Sequence, residues 1–212
     1  MPTVGTHHFD GIIMKLYFAP HTCSLSPHIV LEELRLPHEL IKVDNQTKLT
    51  ADGRDFRDIN PKGYVAALEL DNGEVLTEGP VIVQYLADLK PEAQLAPPPG
   101  SWQRVRLQEW LNFITSEIHA GAAPLFNPSL PEAAQAIFRD KLHRRAAILE
   151  NTLQQQDYLL GASFSIADAY LYTVLGWFKF LAISLDNWPA VEAYEKRIAA
   201  RPSVQAAMLA EA

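Results

Sequence analysis

The chain is nearly without cysteine: Cys23 is the single one among 212 residues. That excludes an internal disulfide and a cysteine-rich zinc site, and it fits a reducing cytoplasm. Positive charge is also short. Lys and Arg total 18 against 25 Asp and Glu, a formal net charge of −7. A general nucleic-acid or anionic-membrane surface is therefore not expected. No apolar run is long enough to span a bilayer. The most apolar stretch, 169–178, follows Asp168 and stops at Lys179, which predicts a buried helix. There is no internal repeat and no low-complexity tract. Residues 1–13 lack a secondary-structure period and the basic start and apolar core of a signal peptide, so they are expected to be a leader or extension outside the fold. His7-His8 has no carboxylate or cysteine spaced to complete a metal site, and no metal is expected.

What is present is ordinary for a globular protein, with 48% hydrophobic and 20% charged residues. The length suffices for one large domain or two small ones. The first half alternates strand and helix signals. A strand is predicted over 14–18, a helix over 24–35 and a second strand over 38–43. A polar stretch with one helical turn runs to Asn60. A short strand at 67–70 meets Asp71-Asn72-Gly73, a strong tight-turn signal, and 74–77 closes the hairpin. Gly79-Pro80 opens a helix. The order β-α-β, then β-β-α, is a thioredoxin-like arrangement: a mixed four-stranded sheet covered by helices.

Lys90-Pro91 ends this unit, and Pro97-Pro98-Pro99-Gly100 reads as a stiff connector. Beyond it the strand signals vanish. Long helices are predicted over 102–121 and 131–156. Ser165-Ile166-Ala167-Asp168 is a capping box that starts a helix running to Leu181, and Pro189 and Pro202 open two more. The expected organisation is an α/β thioredoxin-like N-terminal domain over 14–90, a linker over 91–101 and an all-α C-terminal domain over 102–212. The run Arg139–Arg145 reads as a solvated helix face.

Cys23 sits at the first strand-to-helix turn. The positive end of the helix dipole lowers a thiol pKa and favours the reactive thiolate there. Ser24 is a candidate cap and Pro27 fits the first turn. The alternative for a lone cysteine is an inert buried hydrophobe; its position favours chemistry.

Cys23-Ser24-Leu25-Ser26-Pro27-His28-Ile29, Asn60-Pro61-Lys62-Gly63-Tyr64-Val65, Thr77-Glu78-Gly79, the segment from Trp110 to His119 and the 165–168 capping box together resemble a glutathione S-transferase, and the 23–29 segment resembles the bacterial beta class. The likeness spans residues 14–212. It implies a cytoplasmic homodimeric transferase, active in detoxification, with glutathione as co-substrate and a small apolar electrophile as partner. It assigns Cys23 and His119 to catalysis, although His119 also reads as a partly buried interface histidine. Glu78 and Gly79 would hold the γ-glutamyl end of glutathione, Val65 its cysteinyl backbone, and Tyr64 and Lys48 its glycyl end; a solvated Lys48 is the plainer alternative. Asn112, Ser116 and Glu117 would approach the partner subunit's site. Phe126, Trp177 and Phe180 would form the electrophile pocket. The sequence departs from the pattern at Ala66, where the family has a cis-proline, at Ala120, often lysine, and at Phe180, histidine in some relatives. Thiol–disulfide or peroxide reduction is a second chemistry for the same site, and a non-catalytic carrier of apolar ligands is the reading from another class.

Overall fold

A computed structural model describes residues 13–212; the residues expected to form a leader lie, apart from Ile13, outside the described part. Strand β1 (Met14–Phe18) places Leu16, Tyr17 and Phe18 in the interior. Helix α1 (Leu25–Leu34) follows, then β2 (His38–Lys42), β3 (Ala67–Glu69) and β4 (Val75–Thr77). The sheet order is β2-β1-β3-β4. β1 runs parallel to β2, with Leu16 opposite Leu40, and antiparallel to β3, with Leu16 opposite Leu68. The 71–73 turn joins β3 to β4 as expected, with Gly73 at φ 82°, a conformation that a side chain would strain. Helix α2 (Gly79–Leu89) begins at Glu78, itself at φ 72°.

The rest of the described chain is helical. Helix α3 (Trp102–Phe113) starts at Ser101, whose side chain accepts from the Arg104 N–H at 3.1 Å. The predicted single helix to Gly121 is corrected. A π-helical turn occupies Ile114–His119, and short helical turns carry the chain through Phe126. His119 and Phe126 lie seven residues apart, two turns of helix, and so share a wall. Helix α4 (Glu132–Leu153) covers this segment.

Helix α5 (Ile166–Leu175) is buried at every residue, as its apolar sequence predicts, but it ends six residues before Leu181. The Asp168 carboxylate accepts from the Ser165 N–H at 2.8 Å, the Leu159 N–H at 2.9 Å and the Tyr194 hydroxyl at 3.0 Å. Helices α6 (Pro189–Ala199) and α7 (Pro202–Ala210) finish the lobe. α1 packs on both α5 and α7, so one apolar core spans the sheet lobe and the helical lobe. Among the described residues no helix is long and apolar enough to cross a membrane.

Candidate functional site

The two lobes enclose a cleft of about 560 Å³. Four pieces of the sheet lobe reach it: the β1–α1 turn with Cys23, Asn45 after β2, the segment 60–66 before β3, and Glu78-Gly79 at the start of α2. The helical lobe supplies His119, Phe126, Tyr170 and Trp177. Trp177 also donates its indole N–H to the His21 carbonyl at 3.1 Å, which ties the far wall to the β1–α1 turn.

The β1–α1 turn is braced from within. Ser24 was expected to cap α1, but it has helical dihedrals and makes no capping bond. Its hydroxyl instead accepts from the Ala19 N–H at 3.2 Å and lies 2.8 Å from the Thr22 hydroxyl, which donates to the Ala19 carbonyl. The side chain is committed to the turn, and that fixes where Cys23 points.

Cys23 is partly exposed to the cleft, and its Sγ donates to the Val65 carbonyl at 3.2 Å. The expectation of a depressed thiol pKa is corrected. Burial pushes the Cys23 thiol up to about 11 and the Glu78 carboxylate adds to the rise, while hydrogen bonds from the Cys23 and Ala66 backbone pull the other way. A helix dipole is worth about 0.3–1 kcal/mol, less than the desolvation of a thiolate in this apolar corner. At neutral pH the group is a thiol and a hydrogen-bond donor. Alkylation by iodoacetamide, followed against pH in the native protein, is expected to inflect near 11; an inflection at or below the ordinary ~8.5 would contradict this.

The Val65–Ala66 peptide is cis. Asn60, which is buried, donates from Nδ2 to the Tyr64 carbonyl at 2.6 Å and holds this segment in place. Val65 lines the cleft beside the sulfur, its carbonyl accepting from the Cys23 thiol.

At the other end, the Glu78 carboxylate pairs with Lys62 Nζ, which also donates to the Thr77 hydroxyl at 3.0 Å. Both side chains are exposed to the cleft. The Val81 and Ile82 N–H groups are used by the Glu78 carbonyl. An acid, a cation and the positive end of a helix thus stand together, a set suited to a zwitterionic amino-acid group.

His119 Nδ1 lies 2.7 Å from the Tyr170 hydroxyl, and its ring meets Trp177 edge-on at 4.7 Å. Burial lowers the His119 pKa, so the ring is neutral at pH 7, and burial raises that of Tyr170. Tyr170 keeps its proton, and His119 Nδ1 is its nearest acceptor; Thr115, 3.4 Å away, donates its own hydroxyl to the Leu111 carbonyl. The bond from Tyr170 places the histidine proton on Nε2. Phe126 packs against Trp177 at 5.8 Å to complete an apolar wall.

The cleft thus gathers Cys23, Tyr64, Val65, Glu78, Gly79, His119, Phe126 and Trp177 from the sequence-derived set. Lys48 stands outside the wall, its ammonium 5.9 Å over the Tyr64 ring. Asn112 and Ser116 are exposed outside the cleft, with the Ser116 hydroxyl bonded to the Asn112 carbonyl at 2.9 Å. Glu117 turns to Arg145 at 2.6 Å and Lys141 at 3.4 Å. Phe180 is corrected: it is 54% exposed and lines a separate pocket of about 70 Å³, its ring 5.5 Å from His21. Sequence reasoning missed Tyr170 and the pairing of Lys62 with Glu78. Lys62 lay in a segment already singled out, whereas nothing local marks Tyr170, which is one apolar-helix residue among ten.

Comparison with known proteins gives consistent findings. Residues 22–89 match the glutathione S-transferase N-terminal domain and residues 113–202 the glutathione S-transferase C-terminal domain. The chain is 42% identical to glutathione S-transferase GstA of Escherichia coli O157:H7, over 93% of this chain and 98% of that protein. A sphingomonad glutathione S-transferase complexed with glutathione superposes with a TM-score of 0.90 at 44% identity, covering 93% of this chain and 98% of that one. The bacterial beta class enzyme of Sphingomonas chungbukensis gives 0.90 at 42%, with the same coverage.

Proposed function

The chain belongs to the glutathione S-transferase family, in its bacterial beta class, and on that premise we propose that its cleft holds glutathione with the thiolate beside Cys23 and an apolar electrophile against Phe126 and Trp177. The observation that supports the placement most is the spacing of complementary groups along one wall: Glu78 at the helix start, the Val65 backbone, then the Cys23 sulfur. Glu78 takes the γ-glutamyl ammonium, and the helix end with Lys62 takes the adjacent carboxylate. Val65 pairs with the cysteinyl backbone as an added strand would.

The chemistry follows from the protonation states. Glutathione's own thiolate is the nucleophile. The Cys23 thiol turns its proton from the Val65 carbonyl to that sulfur, and His119 offers Nε2–H from the opposite wall. Both donors act where charge resides, in a cleft walled by apolar side chains. The electrophile is held by Phe126 and Trp177, so most of the rate comes from positioning and thiolate stabilisation. Thiol–disulfide exchange at Cys23 is a second chemistry for the same cleft; it proceeds through the thiolate, a minor form while the pKa is raised.

We further propose a cytoplasmic homodimer that detoxifies small apolar electrophiles. Asn112 and Ser116 are exposed away from their own cleft, which supports a role at a partner surface; light scattering at micromolar concentration should give twice the chain mass, and a monomer mass would overturn the assembly. Glutathione-dependent turnover of a simple aryl halide tests the activity. Uptake of apolar dyes without turnover would favour a carrier instead.

A further inference from the structure

One to two helical turns along the chain from Cys23 lies a cluster that the transferase reading does not use. His28 and Glu32 stand one helical turn apart on α1, and His38 opens β2 beneath them. His28 is fully buried, and among the described residues its Nε2 has no hydrogen-bond partner. Its other nitrogen, Nδ1, is 2.8 Å from the carboxylate of Glu211, itself buried at the end of the chain. An ionised Glu211 can only accept there, so Nδ1 carries a proton, and in the neutral ring Nε2 presents a lone pair. His38 is arranged in the same way. Its Nδ1 lies 2.8 Å from the Leu36 carbonyl, a pure acceptor, which again leaves Nε2 outward.

Both free Nε2 atoms converge on one carboxylate oxygen. Glu32 Oε1 is 3.9 Å from His28 Nε2 and 3.6 Å from His38 Nε2, and all three atoms lie within 4.8 Å of one another. Three electron-pair donors thus face a common point, and one of them is a buried atom with nothing to bond. These separations are too long for direct hydrogen bonds. They approach the spacing that ligands take around a cation with bonds of about 2.0–2.2 Å. A buried ligating histidine whose second nitrogen is anchored by a carboxylate or a backbone carbonyl is the usual outer arrangement of a metal site.

We propose that His28, Glu32 and His38 bind a divalent transition-metal ion of the zinc type, with a water in the fourth position. Two imidazoles and a carboxylate suit zinc and its neighbours and disfavour calcium or magnesium, which take oxygen ligands. The site lies among α1, β2 and the chain's last residues, so the ion ties the helix that follows Cys23 to the C-terminal end through Glu211 without entering the cleft. It also departs from the expectation of no metal, which rested on His7-His8 and the single cysteine alone.

The test uses the full chain after treatment with a chelator, titrated with zinc chloride and with cobalt chloride, alongside His7→Ala/His8→Ala, Glu32→Gln, His38→Gln and Glu211→Gln variants. One zinc per chain is expected, with a rise in Tm. Cobalt should give the visible spectrum of a four-coordinate nitrogen and oxygen site, without the thiolate charge-transfer band that Cys23 would produce. Glu32→Gln and His38→Gln should each weaken binding at least ten-fold. Glu211→Gln, which touches no metal and only anchors His28, should weaken it by roughly 10–100-fold, while His7→Ala/His8→Ala leaves it unchanged. Absence of stoichiometric binding, a cobalt–thiolate band, or binding lost only in the His7→Ala/His8→Ala variant would overturn the proposal. So would nitrogen-detected NMR showing that the cluster holds only an extra proton on His28 and is blind to zinc. If a variant fails to fold, the wild-type cobalt spectrum and NMR decide alone.

Discussion

Asp168→Ala is expected to destabilise the protein by at least about 3 kcal/mol, because it strands several buried donors at once. The carboxylate accepts from the Leu159 N–H, the Ser165 N–H and hydroxyl, and the Tyr194 hydroxyl. Asp168, Leu159, Ser165 and Tyr194 are all buried. Burial raises the Asp168 pKa while these donors oppose the rise, so the charge is tolerated only as long as the donors stay in place. Each stranded donor costs about 1–3 kcal/mol; the serine hydroxyl can turn away, but the two backbone groups cannot. For a chain of this length the loss corresponds to a drop in Tm of roughly 6–12 °C. Asp168→Asn keeps the shape and one acceptor and should lose less. Thermal unfolding followed by circular dichroism checks both, and a shift of under 2 °C in Asp168→Ala, on the scale of roughly 2–4 °C per kcal/mol, would contradict the account of the capping box as a buried hub.

Glu78→Gln is expected to weaken glutathione binding about ten-fold, or about 1.4 kcal/mol. Hydrogen bonds to charged groups contribute about 1.5–3 kcal/mol. The lower end applies because the Glu78 side chain is 62% exposed before ligand arrives and already shares its charge with Lys62. The substitution keeps the shape and removes only the charge, and the residue lies at an exposed helix start, so stability should hardly change. Calorimetric titration with glutathione measures the effect. An unchanged dissociation constant would remove Glu78 from the ammonium site.

Much of this architecture was legible in local sequence. The apolar run at 14–18, the Asn72-Gly73 turn and the 165–168 capping box each specify their own geometry within a few residues, and each is found where predicted. The limits fell where a distant partner decides. Gly79-Pro80 marks the start of α2, but nothing nearby says that Lys62 will meet Glu78 at the end of the cleft. The 102–121 stretch has a good helical period, and the π-turn at Ile114–His119 is set by packing under α4 and against Tyr170.

The thiol shows the same division. A dipole argument uses only the neighbouring helix and predicts a low pKa. The burial that reverses it comes from the opposite lobe and from the segment around Val65, 42 residues away. Ser24 has the right identity and position for a cap, yet the Ala19 and Thr22 groups of its own turn claim its hydroxyl. The His28 cluster needs Glu211, 183 residues on, before the free nitrogen can be assigned.

The central claim is that glutathione supplies the nucleophile and Cys23 only donates a hydrogen bond to it. The measurement that tests this most directly is glutathione-dependent turnover of a simple aryl halide by the wild type, Cys23→Ser and Cys23→Ala. Serine keeps a donor at nearly the same place, so Cys23→Ser should retain kcat/KM within about ten-fold, and Cys23→Ala, which has no donor, should fall further, by roughly 10²-fold, the low end for losing one preorganised donor. Loss of activity to background in both variants alike would mean that the Cys23 sulfur itself reacts, and would contradict the account.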